Sequence, residues 1–363
     1  MSALNTIFIT NLSTYTTRHH NGKRFINDPG EPMASKSNVN WFSIFKFAFQ
    51  KDYVDPMPTR NMTYDFNTKT NATRAWWINH ATMLFQLDDK YIITDPIFDD
   101  HAAPFPWMIK RTSPTPITME QLPKIDYILI SHDHWDHLNY YSIKTLMGLN
   151  PNCTIIAPLG EGQLIRKWGY KVIIMDWRQQ VKLGDIIITC FPARHMANRY
   201  GPLTMGRDLW ASFLIEFKNA TIYFTGDTAI GPHFKEVRDY VGRPIDLCPM
   251  PIGPQEPNSL MRLVHLDPKQ AADMSKILQT RVSFPIHWGT FPLGTKPEIP
   301  DIIVLSQYWN EKQSGKLIVI KNGGYLEYVN GEFKLVDETS LIEQSYFEQQ
   351  FVEYVQPKLP EEL

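Results

Sequence analysis

The sequence predicts an α+β fold in which mixed β-sheets carry helices on their outer faces. Three observations lead there. From Asn71 onward, short apolar runs rich in Ile, Val, Phe and Thr alternate with turn-forming residues. Helical patterns fall between some of these runs rather than in a separate block. Several runs end directly on a His or Asp, residues that are costly to bury without partners.

Residues 1–70 are irregular and rich in Asn, Thr and Pro, and read as an N-terminal arm with a short helix near 41–50. That helix is aromatic almost throughout, from Trp41 to Phe49. It is either a segment packed over the domain or a lipid-facing surface. Strands are expected at 82–87, 91–94, 126–131, 153–157, 171–175 and 185–191. A second set covers 211–217, 221–225, a run through Leu247, 282–286 and 316–320. The runs within 82–94 and 211–225 read as hairpins. The clearest helix start is Asp267-Pro268-Lys269-Gln270, with Asp267 as N-cap, Pro268 as first helical residue and Gln270 closing a capping box. Together, 71–330 is expected to be the catalytic domain. Residues 331–363 form an acidic tail in which Phe347, Phe351 and Val355 recur at helical spacing, as in a docked helix.

Composition narrows the function classes. The 363 residues are 43% hydrophobic and 20% charged, with a net charge of -2, so no overall basic field gathers nucleic acid. Nor does any basic stretch interleaved with aromatics suggest a nuclease. Cys153, Cys190 and Cys248 are widely spaced and odd in number, which points to a reducing, cytoplasmic setting. The N-terminus has no basic region followed by a long apolar run, so no signal peptide is expected. No window approaches the roughly 18 apolar residues a membrane span needs, so any membrane association would be peripheral.

The densest chemistry lies in Ser131-His132-Asp133-His134-Trp135-Asp136-His137, which holds three of the chain's 11 histidines. The apolar run before it delivers His132 to a strand end. His132 and His134 can then turn toward one point, and Asp136 and His137 toward another. Imidazole with carboxylate suits zinc, with iron or manganese as alternatives. His195, Asp227 and His287 each follow a hydrophobic run in the same manner. Several such residues describe one site at the open edge of a sheet.

These residues resemble the metallo-β-lactamase superfamily, whose HxHxDH pattern is here His132-x-His134-x-Asp136-His137. The resemblance implies an αββα sandwich and two Zn²⁺ per chain. By that pattern His132, His134 and His195 hold one ion, Asp136, His137 and His287 hold the other, and Asp227 bridges them. A denser likeness is to the N-acylphosphatidylethanolamine-hydrolysing phospholipase D family. It runs through TRAWWINHATMLFQ (73–86), TDPIF (94–98), APLG (157–160), TGDTA (225–229) and PIHWGTF (285–291), and reaches the arm through GKRFIN (22–27). It implies a phospholipid substrate at a membrane surface, release of N-acylethanolamine and phosphatidic acid, and a homodimer.

The likeness assigns Asp95 to orienting a ligand imidazole through its free ring nitrogen. It assigns His265 to the reaction centre, orienting substrate or protonating the leaving oxygen. His80 is left open between a ligand's partner and a structural histidine. Pocket positions depart from the family. An Arg-Trp pair is lost around Asn258 and Ser259, and glutamines are replaced by Pro106 and Val264. The metal residues are spared, so the chemistry is the firmer expectation and the head group the open one. A same-fold hydrolase of a soluble phosphorylated lactone or cyclic ester is one alternative. A metal-retaining lipid-binding protein without turnover is the other.

Overall fold

The computed structural model describes residues 17–28, 57–66, 70–312, 315–343 and 345–347. The aromatic segment 41–50, Phe351 and Val355 lie outside them. Within them the chain forms two mixed sheets flanked by helices, the sandwich expected from the sequence.

The first sheet is built from β1 (Thr73–Asn79), β2 (Thr82–Leu87), β3 (Lys90–Thr94), β4 (Tyr127–Leu129), β5 (Thr154–Pro158) and β6 (Val172–Met175). The second continues with β7 (Gln180–Leu183), β8 (Ile186–Phe191), β9 (Ser212–Phe217), β10 (Ala220–Phe224), β11 (Leu247–Pro251), β12 (Val282–Ile286) and β13 (Lys316–Leu317). The chain then returns to the first sheet as β14 (Tyr325–Val329) and β15 (Glu332–Leu335), which extend it beyond β1. Each sheet starts as an antiparallel meander and ends in parallel strands, β3 to β6 in one and β10 to β13 in the other. The helices are α1 (Tyr140–Leu149), α2 (Glu161–Lys167), α3 (His233–Val241), α4 (Asn258–Met261), α5 (Pro268–Leu278) and α6 (Ile299–Lys312).

Local chemistry explains several of these elements. The hairpins β2–β3 and β9–β10 turn through Asp88 and Lys218, whose φ values of 55° and 51° suit a tight two-residue connection. Asp267 caps α5, accepting the Gln270 backbone N–H at 2.8 Å, while the Gln270 side chain accepts the Asp267 N–H at 3.3 Å. One face of each sheet contributes to an apolar layer between them, which includes Trp77, Phe85, Phe213, Tyr223, Phe284 and Trp288. A second cluster, with Ile93, Ile128, Ile143, Leu146 and Ile155, seats α1 on the outer face of the first sheet.

Some expected bounds shift. The break set at residue 330 falls inside the β14–β15 hairpin, which pairs antiparallel with β1 through β14. Beyond it, Ile342, Tyr346 and Phe347 still pack on the main core. The strand expected over 316–320 pairs only at Lys316–Leu317, and Ile320 bridges instead to Leu341. Residues 19–28 also belong to the folded body. Phe25 is fully buried, and its N–H bonds the Gly206 carbonyl at 2.7 Å. No helix among the described residues is long and apolar enough to cross a membrane.

Candidate metal centre

The carboxyl ends of the strands converge on one edge of the sandwich. β3 delivers Asp95, β4 the Ser131–His137 loop, β8 His195, β10 Asp227 and β12 His287. All nine residues expected from the sequence meet there. His265 arrives from the segment after α4, with its ring 5.3 Å from that of His195.

Among the described residues, two groups of four ligand-type side chains bring their donor atoms within 4.8 Å of one another, His132, His134, His195 and Asp227, and His80, Asp136, His137 and His287, and two overlapping groups of three add Asp95 and His265. In the first, His134 Nδ1 lies 2.9 Å from His132 Nε2 and 3.2 Å from His195 Nε2. In the second, His137 Nε2 and His287 Nε2 are 3.2 Å apart, and Asp136 Oδ2 lies 3.4 and 3.5 Å from them. Asp227 faces both groups. Its Oδ2 is 3.1 Å from His287 Nε2, 3.3 Å from His137 Nε2, and 3.9 Å from both His132 Nε2 and His195 Nε2.

The outer ring atoms are held by other partners. The Asp95 carboxylate accepts the His137 Nδ1–H at 2.8 Å, the Ser131 N–H at 2.7 Å and the Ser131 hydroxyl at 2.6 Å. Ser131 Oγ in turn meets His132 Nδ1 at 2.9 Å. The Val264 carbonyl accepts the His195 Nδ1–H at 2.8 Å. That leaves Nε2 of all three rings turned toward the shared centre, the arrangement metal-binding histidines require.

Electrostatics favour a cation. Burial alone would raise Asp136 and Asp227, but the facing imidazoles, His137 foremost, hold both carboxyls well below the usual range. Burial alone would lower His137 and His287, but Asp227 with Asp136 lifts His137 well above its ordinary value and His287 to about 9. The facing carboxylates therefore favour positive charge at those two rings, as protons or as a bound cation. Burial drives His132 and His195 well below the imidazole range, and it lowers His80 to about 3 and His265 to about 4. Asp95 is raised by burial, against the pull of its bonds to His137 and Ser131.

The donor set fits metal. Ring nitrogens 2.9–3.2 Å apart match the separation of about 3.3 Å between ligands around tetrahedral zinc. Asp227 Oδ1 is buried with no hydrogen-bond partner. Buried polar atoms seldom stay so without an ion or water.

Comparison with known proteins agrees with this geometry. Residues 90–288 match the family model described as the beta-lactamase superfamily domain. The chain belongs to the metallo-β-lactamase superfamily. It is similar to N-acyl-phosphatidylethanolamine-hydrolyzing phospholipase D 1 of Caenorhabditis elegans, with 32% identity over 79% of this chain and 86% of that protein. It is also similar to the mitochondrial N-acyl-phosphatidylethanolamine-hydrolyzing phospholipase D of Saccharomyces cerevisiae, at 28% identity over 60% of this chain and 48% of that protein. Among solved structures, a metallo hydrolase of Ignicoccus hospitalis shares the fold with a TM-score of 0.56 at 18% identity, over 71% of this chain and 99% of that one. As a member of this superfamily, the chain is a metal-dependent hydrolase.

Several contributors carry no recognisable spacing in the sequence. Arg199 donates from Nη1 to the carbonyls of Asp133 and Leu138, both at 2.8 Å, and its guanidinium lies 3.7 Å from the Trp135 ring centre. The Asp133 carboxylate accepts the N–H groups of Asn198 and Arg199, each at 3.0 Å. Asn27 Oδ1 accepts the His195 N–H at 3.3 Å and the Trp210 indole N–H at 3.1 Å, so GKRFIN braces a ligand-bearing loop. His80, left open by its sequence, lies inside the centre. Of the altered pocket positions, Pro106, Asn258 and Ser259 are exposed, whereas Val264 is buried and meets His195 through its carbonyl.

Proposed function

We propose that the chain is a zinc-dependent phospholipase D-type phosphodiesterase that cleaves N-acylphosphatidylethanolamine to N-acylethanolamine and phosphatidic acid. The observation that carries the reaction class is the position of Asp227 Oδ2, within 3.9 Å of ring nitrogens from both ligand groups. That is the position a carboxylate bridging two ions would take. The likeness to the Caenorhabditis elegans enzyme, over most of both chains, supports the substrate.

In this reading His132, His134 and His195 would hold one zinc ion and Asp136, His137 and His287 the other, with Asp227 placed to serve both. When bound, such a pair supplies Lewis acidity to the phosphodiester and an acidified water as nucleophile. The chain's own residues orient these partners. Asp95 and the Val264 carbonyl fix His137 and His195, so neither ring has to reorganise during turnover. His265 Nδ1 lies 3.7 Å from Asp227 Oδ2 and lacks a hydrogen-bond partner. With burial holding it near 4, His265 is neutral at pH 7. That favours orienting substrate over donating a full proton to the leaving oxygen.

The lipid substrate also needs an apolar approach. Phe105 and Trp107 are 50% and 68% exposed and stack with ring centres 4.8 Å apart. Their loop also carries Ile97 and Ala102, which pack on Phe291 beside His80. This supports a peripheral contact with lipid next to the centre. The homodimer implied by the family is part of the same proposal, tested by the mass of the protein in solution.

The test compares zinc-replete protein on N-acylphosphatidylethanolamine in mixed micelles with the same protein on a soluble diester, bis-p-nitrophenyl phosphate. Both N-acylethanolamine and phosphatidic acid should appear, abolished by a chelator, with the lipid strongly preferred. Turnover of the soluble diester alone would move the reading to a small polar ester.

A further inference from the structure

We propose that His80 is a positioning residue for one half of the metal centre, acting through two ligands at once. This rests on the dinuclear reading given above. The side chain donates from Nε2 to Asp136 Oδ2 at 2.8 Å, the oxygen that also faces His137 and His287. A carboxylate oxygen has two lone pairs, so accepting from His80 would leave the other available to a metal ion. The His80 carbonyl accepts the backbone N–H of His287 at 3.0 Å. Its ring lies against the His287 ring, with centres 3.9 Å apart. Every one of these contacts ends on Asp136 or His287.

The backbone supports the assignment. His80 has φ 45°, in the left-handed region that costs a non-glycine residue on the order of 1 kcal/mol or more. The surroundings fix it there: its N–H donates to Thr290 Oγ1 at 3.0 Å, and its carbonyl also accepts the Trp77 indole N–H at 2.9 Å. His287 is left-handed too, at φ 68°. The turn after β1 and the turn after β12 are thus docked to each other at the residue that carries the ligand. A histidine serving packing alone would need neither the bond to Asp136 nor this backbone. None of the contacts reaches His132, His134 or His195, so the effect is confined to one ion.

The experiment titrates metal-free wild type, His80→Phe and His80→Gln with Co²⁺, following ligand-field absorption, with thermal unfolding of each metal-free protein alongside. Phe keeps a ring against His287 but cannot donate. Gln restores a donor near Nε2. Wild type should take up two ions. His80→Phe should bind one ion as wild type does and the other about 10–100-fold more weakly, the usual effect of losing such a partner. His80→Gln should recover to within a few-fold. Unchanged affinity for both ions in His80→Phe would overturn the proposal. So would equal weakening of both ions, or a folded His80→Gln no better than Phe. Uptake of a single ion by wild type would instead count against the dinuclear reading.

Discussion

The Asp95 carboxylate lies 2.8 Å from His137 Nδ1 and, through the Ser131 hydroxyl, one further bond from His132 Nδ1. It therefore orients one imidazole in each ligand group from the end of the neighbouring strand. Asp95→Asn keeps the size but replaces an acceptor of three bonds with an amide that must turn one donor toward His137 or Ser131. Metal affinity should fall about 10–100-fold with the fold intact. Equilibrium dialysis against a graded chelator, with circular dichroism on the same samples, measures both.

Stability of the metal-free protein should peak near neutral pH. His80 and His265 are held at about 3 and 4 when folded, so below about 6.5 the unfolded chain takes up protons that the folded chain refuses. Their contribution is present above that pH and is lost as pH falls toward 4. His287 is raised to about 9, so its contribution is complete below about 6.5 and is lost as pH rises through 9. Each window is worth on the order of a few kcal/mol. The midpoint of thermal unfolding, measured from pH 5 to 10 without metal, should pass through a maximum. A monotonic trend would contradict these assignments.

The same charges govern metal uptake. Below pH 9 an ion must displace the His287 proton, so binding should release protons at pH 7.5 and tighten as pH rises toward 9. Calorimetry in two buffers of different ionisation enthalpy reads the proton count directly. Uptake without proton release would show that His287 faces the ion already neutral.

Arg199 locks the histidine loop to the segment that follows His195, with two carbonyl bonds and a stacked Trp135. Lysine has the charge but not the planar fork. Arg199→Lys should cost about 1–3 kcal/mol from the buried carbonyls it leaves underused. Denaturant unfolding measures the loss, and faster amide exchange at 133–138 would localise it.

Trp107 supplies the most exposed aromatic surface of the stacked pair. Trp107→Ala should raise the half-saturating concentration of micellar lipid several-fold and leave turnover of a soluble diester unchanged. Vesicle co-sedimentation gives an independent reading. Equal loss on both substrates would assign Trp107 to local packing.

The ligands could be read from the sequence because each follows an apolar run, and strand ends fix direction. His132, His134, Asp136 and His137 also share one short loop. The partners were harder to see. Arg199 and Asn27 act on backbone carbonyls and N–H groups, which leave no residue pattern. His80 sits alone in the turn between β1 and β2, and only its contacts with Asp136, 56 residues away, and with His287 give it a role. Val264 stood out as a changed side chain, yet its contact with His195 is made by the carbonyl, which the change leaves in place. The β14–β15 hairpin was missed because its pairing partner, β1, lies some 250 residues earlier.

The measurement that tests the central claim most directly is turnover of N-acylphosphatidylethanolamine in ¹⁸O-water by zinc-replete protein, with both products analysed by mass spectrometry. Attack of water on phosphorus predicts equal amounts of the two products, with one ¹⁸O in phosphatidic acid and none in N-acylethanolamine. Label in N-acylethanolamine, or no turnover by folded protein carrying both ions, would contradict it.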